Sequence, residues 1–333
     1  MRQRSVCGKY RQWIWCGIYG FDHYQTNRLK QFTIDNSQLN ITGSKSETNR
    51  LLLLQALFPN ITLTNTSNSD DSEVMQKALK GNEEIVDIHH AGTAMRFLTA
   101  FFAVNEGREV VLTGSQRMTE RPIKVLVEAL EQLGAKISYE NEVGYPPIQI
   151  KGQKITASKV SIPANVSSQY ISALLLVAPK LENGIEITLV GEITSVPYIK
   201  MTLALLNDLD VKTSFEGNVI SVYPKQEVAS KIMTVESDWS SASYFFSLVA
   251  LAKSASISLT SYKETSLQGD SALIEIYKQM GVAKHFENKK MTLVKQTCFE
   301  PKMLNLELNN TPDIAQTIVV TCLGLGISCH LTG

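Results

Sequence analysis

The sequence predicts a mixed α/β (α+β) protein of two domains that is assembled from repeated units. At 333 residues the chain is long enough for two sizeable cores, and its 44% apolar content is normal for a globular protein. A helix end followed by strand, turn and strand recurs about every 70 to 75 residues, in LGAKISYENEVGYPPIQIKG, LDVKTSFEGNVISVYPK and MGVAKHFENKKMTLVK. Such a period is typical of a repeat architecture.

Each repeat also contains two helices of different character. The first starts with small polar residues and then becomes strongly apolar, whereas the second is more amphipathic. If the repeats are arranged symmetrically, several helix N-termini face one cleft, where they favour anions without any global basic charge. The polar starts fall at Ser44, Gly92, Ser167, Ser240 and near Asp313. The second helices are predicted near residues 72–80, 122–133, 197–209 and 272–280.

The bulk composition restricts the class of partner. The formal net charge of +0 gives no global reason to expect nucleic acid or a membrane surface. No apolar run approaches the roughly 20 residues of a membrane span. The five cysteines are odd in number and form no CxxC pair, which favours reduced thiols and a cytoplasmic location. They are Cys7, Cys16, Cys298, Cys322 and Cys329.

Residues 1–29 are basic and contain no acid before Asp22. A targeting segment is one interpretation, but serine is scarce and no A-x-A-like cleavage site follows. We therefore expect a disordered extension outside the fold.

The first polar start, GSKSETNRLLLLQAL over residues 43–57, combines several groups that favour an anion. Ser44, Ser46 and Thr48 are candidate helix caps, and Lys45 lies beside the predicted helix N-terminus. Arg50 follows Ser46 by four residues, so both lie on one helical face. The segment is either a phosphate or carboxylate site or an ordinary capped helix. It is not a P-loop, because the glycine and lysine spacing differs.

The later polar starts carry further candidates. Gly92 in AGTAMR permits close backbone approach, and Pro122 suits a first helical position, which places Arg121 at the helix mouth. The remaining candidates are good caps individually, and jointly they suit a polyhydroxylated, phosphorylated ring. These are Ser167, Ser168, Gln169, Ser195 and Tyr198.

Two aspartates also begin polar starts. Asp238 precedes WSSASY and is predicted to be an N-cap, whereas Asp313 is either another N-cap or a general base. His89 and His90 are adjacent in a strand-like run, so they are expected to point to opposite faces. No His, Cys and Asp spacing resembles a metal site, and no cofactor is expected.

An ordered series of motifs resembles the 5-enolpyruvylshikimate-3-phosphate synthase family. The series is GSKSETNR, AGTAMR, MTERPIKVLVEALEQLGA, SSQYISALLLVAP, SVPYIKMTLALL, ESDWSSASYF, TSLQGD and PDIAQT. The resemblance implies two inverted α/β barrels of βαβαββ units with helix N-termini facing an interdomain cleft. It places domain one at residues 30–43 plus 235–333, which is incomplete, and domain two, with three repeats, at residues 44–234.

The same resemblance implies a monomeric transferase that moves the enolpyruvyl group of phosphoenolpyruvate to the 5-hydroxyl of shikimate 3-phosphate and releases phosphate. Lys45 would contact both substrates, and Asp313 would deprotonate the attacking hydroxyl. Tyr198 would line the sugar-like ring, and Gly92, Arg121 and Gln169 would hold phosphoenolpyruvate. Shikimate 3-phosphate would be held by Ser46, Arg50, Ser167, Ser168, Ser195 and Asp313.

The chain departs from the family pattern at three places. The family often has Asn where this chain has His90, and Pro where it has Phe97. The downstream KETDR segment, which carries the acid that protonates the methylene, is absent. We therefore expect impaired activity and an exposed apolar helix over residues 314–325. The alternatives are a non-catalytic fragment that binds shikimate 3-phosphate, or UDP-N-acetylglucosamine enolpyruvyl transferase, whose opening motif differs and which lacks SSQ and SxPY.

Overall fold

The computed structural model describes residues 32–296 and 303–333. The predicted extension at residues 1–29 therefore lies outside the described residues, as do Cys7, Cys16 and Cys298. No helix within the described ranges is long and apolar enough to cross a membrane.

Strands and helices alternate along the described chain. The strands are β1 (Thr33–Asn40), β2 (Ile61–Thr64), β3 (Ile85–Asp87), β4 (Glu109–Thr113), β5 (Lys136–Tyr139), β6 (Ile148–Lys151), β7 (Lys159–Pro163), β8 (Ile185–Val190), β9 (Thr213–Glu216), β10 (Val219–Val222), β11 (Lys231–Thr234), β12 (Ser254–Thr260), β13 (Val282–Glu287), β14 (Lys290–Lys295), β15 (Leu304–Glu307) and β16 (Cys329–Thr332). The α-helices are α1 (Lys45–Leu57), α2 (Asp70–Lys80), α3 (Gly92–Val104), α4 (Gln116–Thr119), α5 (Lys124–Gln132), α6 (Ser168–Val177), α7 (Val196–Asn207), α8 (Trp239–Leu251), α9 (Leu273–Lys278) and α10 (Ala315–Leu325). Single 3₁₀ turns occupy Ala178–Lys180, Gly269–Ala272 and Pro312–Ile314.

Three four-stranded sheets share one topology, which confirms the predicted α/β class and repeat. Their strand orders are β3-β4-β6-β5, β7-β8-β10-β9 and β1-β12-β14-β13. In each sheet the first two strands are parallel, and the last two are added antiparallel as a hairpin. The hairpins are the strand, turn and strand segments that recur in the sequence.

The helices with polar starts are the inner helices of the first core. Helices α1, α3 and α6 contact one another, and each is buried around most of its circumference. An apolar helix without a polar face must be buried, whereas an amphipathic helix covers a surface. Helices α2 and α5, which are more amphipathic, keep exposed faces. The two sets of helices differ in apolar pattern, and this difference decides which of them are buried in the first core.

The buried apolar residues form two separate cores. One consists of buried apolar residues from Leu51 to Val235, and the other runs from Trp239 to Ile327. Ile34 on β1 packs against the second core although it precedes the first in the chain. These cores support the predicted domain boundaries, which remain a prediction.

Two crossing segments connect the cores. Strand β1 pairs with β12 of the second core, whereas β11, which directly precedes α8, pairs with β2 of the first. The chain passes between cores at an isolated bridge of Gly43 with Ser237, where the Ser44 N–H donates to the Glu236 carbonyl at 2.8 Å. The second core thus takes β1 from the chain that precedes the first core, whereas β11 is the last strand of the first core's own stretch.

Two local predictions were wrong. Helix α5 begins at Lys124, so Pro122 is not its first residue. The Pro122 carbonyl accepts hydrogen bonds from the Arg96 guanidinium and the Tyr170 hydroxyl and is therefore not used by the helix. His89 and His90 form a turn and not a strand, since β3 ends at Asp87 and His89 has a φ of 50°. The Asp87 carboxylate accepts from the His89 backbone N–H at 2.7 Å and stabilises that turn.

The predicted exposure of the helix over residues 314–325 is confirmed for one face only. Ile318 and Cys322 are buried on the side of α10 that packs against α8. Val320 and Leu323 on the outer side are 62% and 64% exposed. The outer side borders an apolar groove that also includes Leu331 of β16.

We predict that Gly43→Ala destabilises the crossing. A Cβ at this position would lie 2.0 Å from the Asn65 backbone carbonyl oxygen and 2.6 Å from Val235 Cγ1, and the backbone oxygen cannot move aside as the end of a flexible side chain can. Overpacking of this kind typically costs about 1–3 kcal/mol. Thermal denaturation of the variant should show a lower melting temperature than wild type.

Gly81→Ala is the matched control, because its Cβ would meet only the end of the exposed Glu83 side chain, which can move aside. Equal melting temperatures for both variants would contradict the tight crossing.

Candidate active site

A polar cavity of about 370 Å³ lies between the two cores. The start of α1 forms one wall, and the start of α8 with the 3₁₀ turn at Gly269–Ala272 forms the opposite wall. Helix N-termini thus approach the cavity from both cores, as the repeat predicted. The lining residues are Thr42, Gly43, Ser44, Lys45, Ser46, Ser67, Asn68, Ser69, Tyr198, Met201, Asp238, Ser240, Ser241, Gln268, Gly269, Asp270 and Asp313.

Charge is distributed unevenly in this cavity. Lys45 is exposed and is the one cation among the described lining residues, and it extends from the first turn of α1. Asp238, Asp270 and Asp313 are the carboxylates, and all three come from the second core's side. An anion near the start of α1 therefore gains from Lys45 and from the helix N-terminus.

The predicted cap of α1 is wrong. Ser44 occupies the N-cap position but makes no side-chain hydrogen bond to the helix. Thr48 instead accepts from the Ser67 N–H at 3.0 Å and ties α1 to the Ser67 segment. The first N–H groups of α1 consequently keep no side-chain partner from Ser44 and remain open to an anion.

Arg50 lies buried beneath the cavity, with its guanidinium in contact with three helices. Its Nε donates to Thr202 Oγ1 at 2.8 Å, and its Nη2 donates to Ser172 Oγ at 3.1 Å and the Tyr198 carbonyl at 3.4 Å. Its Nη1 donates to the Ser46 carbonyl at 2.7 Å, which confirms that these two residues share a helical face. Arg50 thus joins α1, α6 and α7 directly below the lining residues Ser46 and Tyr198.

No carboxylate forms an ion pair with Arg50 in the described part of the chain. All its contacts are to neutral oxygens or to the faces of Phe97, 5.4 Å from the guanidinium carbon, and Tyr198. Burial lowers the pKa of Arg50 to about 10, which still leaves it charged at neutral pH. The charge of Glu47 favours the charged form of Arg50 without forming an ion pair with it, so burial of this cation remains costly and a bound anion would offset that cost.

A second cluster forms around the start of α3. A Cβ on Gly92 would lie 2.5 Å from Arg121 Nη1, so the guanidinium of Arg121 rests where a side chain would otherwise stand. Gln169 donates from Nε2 to Thr93 Oγ1 at 3.3 Å. The structure therefore brings Gly92, Arg121 and Gln169 together, although Arg121 precedes α5 and does not cap it.

Helix α6 follows its sequence signals closely. Ser167 is its N-cap, and its hydroxyl accepts from the Gln169 N–H at 3.3 Å, as predicted. Ser168 is buried in the first turn.

Helix α7 departs from the prediction at its start. Ser195 holds a left-handed φ of 54° and makes no capping hydrogen bond, contrary to the expected cap. This turn brings Tyr198 to the cavity, and burial raises the pKa of its hydroxyl. Tyr198 therefore stays neutral and presents a hydroxyl to the cavity.

The three aspartates have different partners. Asp238 caps α8 by accepting from the Ser241 N–H at 2.7 Å, as predicted. Asp270 accepts from the Ser240 hydroxyl, and burial raises its pKa to about 6. Asp313 is exposed within the 3₁₀ turn and is not an N-cap, since Thr311 occupies that position. The cap interpretation of Asp313 was wrong, which leaves its carboxylate available to a ligand.

Sequence reasoning did not single out Gln268 and Asp270, although TSLQGD was among its motifs. Gln268 is buried, and its amide donates to the Ser237 carbonyl at 3.0 Å while its oxygen accepts from the Trp239 N–H at 3.0 Å.

No group of three His, Cys, Asp or Glu side chains that could hold a metal occurs within residues 32–296 and 303–333.

Fold and site together define a class of protein: an α/β repeat protein in which helix N-termini, Lys45 and three aspartates line a polar cleft between two cores. A model of the family EPSP synthase (3-phosphoshikimate 1-carboxyvinyltransferase) matches residues 76–326. The chain therefore belongs to the EPSP synthase family, which transfers the enolpyruvyl group of phosphoenolpyruvate to shikimate 3-phosphate in aromatic biosynthesis.

Individual relatives agree with this family. The chain is 43% identical over 297 residues to the 3-phosphoshikimate 1-carboxyvinyltransferase of Bacteroides fragilis (strain YCH46), covering 89% of this chain and 72% of that protein. It is 37% identical over 319 residues to the protein of the same name from Histophilus somni (strain 2336), covering 86% and 73%. The solved structure of EPSP synthase from Acinetobacter baumannii aligns with a TM-score of 0.70 at 20% identity, covering 91% and 74%, and shows the same fold.

We predict that Arg50→Met does not destabilise the protein. Met fills a similar volume, and Thr202 already donates to Ser172 and retains a partner. Replacing the guanidinium by an apolar side chain removes the desolvation penalty of a buried ion, which is several kcal/mol, and this gain offsets the hydrogen bonds that are lost. The measurement is the midpoint of urea unfolding, compared with wild type.

Arg108→Met is the control, because the hydrogen bonds of Arg108 go only to exposed backbone carbonyls and its loss should change stability little. A loss of more than about 2 kcal/mol for Arg50→Met would show that the guanidinium holds the fold together.

Proposed function

We propose that this chain transfers the enolpyruvyl group from phosphoenolpyruvate to the 5-hydroxyl of shikimate 3-phosphate in the cavity between its cores. The observation that carries the proposal is the placement of Lys45 and the uncapped start of α1 on one wall, with the uncommitted carboxylate of Asp313 lining the same cavity. This arrangement offers a cation and helix N–H groups to anionic substrates and a base to a hydroxyl.

Shikimate 3-phosphate is proposed to bind near α1, α6 and α7. Ser46 and Tyr198 line the cavity, and Arg50 beneath them supplies positive charge that no ion pair of the described residues neutralises. Ser167, Ser168 and Ser195 stand at the starts of α6 and α7 and offer hydroxyls or backbone N–H groups to a phosphorylated ring.

Phosphoenolpyruvate is proposed to bind at the cluster of Gly92, Arg121 and Gln169. The absent side chain of Gly92 leaves room for the Arg121 guanidinium at the start of α3, and Arg121 is exposed and able to offer a bidentate contact to a carboxylate or phosphate. Lys45 would contact both substrates and would link this cluster to the cavity.

The chemistry proposed for the cavity is addition followed by elimination. Asp313 takes the proton of the 5-hydroxyl as the hydroxyl oxygen bonds to C2 of phosphoenolpyruvate, and water supplies a proton to the methylene carbon as the carbon–carbon double bond opens. Loss of a proton from the resulting methyl group and departure of phosphate then re-form the double bond and give the product. Lys45 stabilises the charge on the phosphate as the carbon–oxygen bond breaks.

We further propose that the protein is a monomer and is located in the cytoplasm. Its support is the biosynthetic reaction of the family and the free thiols of Cys322 and Cys329. Gel filtration with light scattering would test the monomer, and a mass of twice 36.9 kDa would contradict it.

The whole proposal is tested by measuring phosphate release from phosphoenolpyruvate in the presence of shikimate 3-phosphate. We expect turnover that depends on both substrates. Heat of binding with shikimate 3-phosphate but no phosphate release would favour the alternative of a non-catalytic binder.

For the individual role of Asp313, we predict that Asp313→Asn lowers kcat by about 10²- to 10⁴-fold, the usual contribution of a general base. Stability should not change, because Asp313 caps no helix. The phosphate-release assay and a thermal melt measure the two effects separately.

Asp238→Asn is the matched control, since Asn caps a helix about as well as Asp and should preserve the start of α8. Near-normal turnover of Asp313→Asn would exclude the proposed base.

A further inference from the structure

A buried carboxylate in the first turn of α1 has no part in the proposed chemistry. Glu47 follows the lining residue Ser46, is 2% exposed, and its Oε2 makes no hydrogen bond. Its Oε1 lies 3.8 Å from the Nζ of Lys263, whose side chain is 41% exposed. A buried acid whose one ion pair is this long is costly to keep, which indicates a role for Glu47 beyond packing.

Lys263 does not line the cavity itself but belongs to the loop that leads into its opposite wall. It lies in the loop that leaves β12 and runs into Gln268, Gly269 and Asp270, which line the cavity. The Glu47–Lys263 pair therefore connects α1 of the first core to the loop that carries the far wall.

The same loop is held from its own side by Glu236. The Glu236 Oε1 accepts from the Lys263 backbone N–H at 3.0 Å and from Trp239 Nε1 at 2.8 Å, and its Oε2 accepts from Ser266 Oγ at 2.8 Å. Glu236 thus anchors the loop within the second core through three donors. Glu47 is the carboxylate that attaches the loop to the first core.

The charged groups that face Glu47 are Lys263 of the loop, Glu236 of the crossing and Arg50 of its own helix. Burial is the largest influence and raises the pKa of Glu47 to about 7. The charge of Lys263 opposes this shift, and the charge of Glu236 adds to it. Glu47 is therefore ionised above about pH 7 and protonated below it, and only the ionised form attracts Lys263.

We propose that Glu47 is a positioning residue: its ionised carboxylate holds the Lys263 loop against α1 and so fixes the distance between the two walls that enclose the phosphorylated substrate. The inference rests on the proposed function, because shikimate 3-phosphate is the ligand whose affinity reports that distance. Protonation of Glu47 releases Lys263, so the affinity attributable to the pair falls as the pH decreases through 7.

The titration itself is tested without any ligand. Protein labelled with ¹³C at the glutamate carboxyls is followed by NMR from pH 4 to pH 9, and Glu47→Gln identifies the signal by its absence. We expect a midpoint near 7 for this signal. A midpoint at the ordinary value of 4.5 would overturn the inference.

The coupling to the substrate is tested by calorimetry with shikimate 3-phosphate at pH 6 and pH 8. The substrate phosphate also titrates near pH 6, so wild type and Glu47→Gln are compared at each pH. We expect wild type to bind about three- to tenfold more tightly than the variant at pH 8, as for a charge pair with one buried partner, and about equally at pH 6. An equal ratio of wild-type to Glu47→Gln affinity at the two pH values would overturn the positioning role of Glu47.

Lys263→Met provides a second route, since this half-exposed side chain can be removed even if Glu47→Gln fails to fold. It should lose the same factor at pH 8, and the double variant should lose no more than either single one. Additive losses would show that the two residues act independently and would overturn the pair.

Glu186→Gln is the matched control, because the exposed Glu186–Lys159 pair, 2.9 Å long, joins two strands of one sheet away from the cavity. It should leave the affinity unchanged at both pH values, and a loss equal to that of Glu47→Gln would overturn the inference. Absence of binding by wild type would contradict the proposed function itself, while the NMR midpoint would still report on the Glu47 site.

Discussion

The crossing at Gly43 and Ser237 is the constraint on which the rest of the structure depends. The second core takes β1 from the chain that precedes the first core, so it is assembled from two separate stretches, whereas β11 closes the first core just before the chain crosses back. The two crossing segments are held by backbone hydrogen bonds, from the Ser44 N–H to Glu236 and from the Asp238 N–H to Thr42. Helices α1 and α8 begin within two residues of these bonds. Their N-termini therefore face each other across the cavity because of the crossing.

The electrostatics of the cavity follow from position and not from composition. The chain has a formal net charge of +0, yet Arg50 is buried without an acid partner among the described residues, and the lining carboxylates all lie toward the second core. Positive charge thus lies mainly on the first core and negative charge on the second. An anionic substrate that bears a hydroxyl is oriented by such a field, with its phosphate toward α1 and its hydroxyl toward the acids. Burial, together with the nearby charges of Asp313 and Asp238, raises the pKa of Asp270 to about 6, as expected where acids are concentrated.

The sequence was sufficient to predict the large elements. The strongly apolar helices α1, α3 and α6 with polar starts lie in the interior of the first core, and the three hairpins that recur at a fixed period occupy equivalent positions in three sheets. Contacts between distant segments were beyond its reach. Nothing local indicates that the carbonyl of Pro122 would be bonded by Arg96 and Tyr170, which displaces the start of α5. Likewise, Glu236 binds Lys263 and Ser266 from far along the chain, and only tertiary structure reveals that association.

The failed predictions of helix caps have a common physical meaning. Serine at a helix start was expected to bond the first backbone N–H groups, and Ser167 does so, as does Asp238 in its own helix. At α1 and α7, however, Ser44 and Ser195 leave those groups without a side-chain acceptor. Uncapped N–H groups lower stability, because each helix start has donors that need partners. A phosphate or carboxylate supplies such partners, so the uncapped starts of α1 and α7 lower the stability of the free protein but favour the binding of an anion. The departures from local helix chemistry therefore lie at two of the helix starts where the proposed function places a ligand.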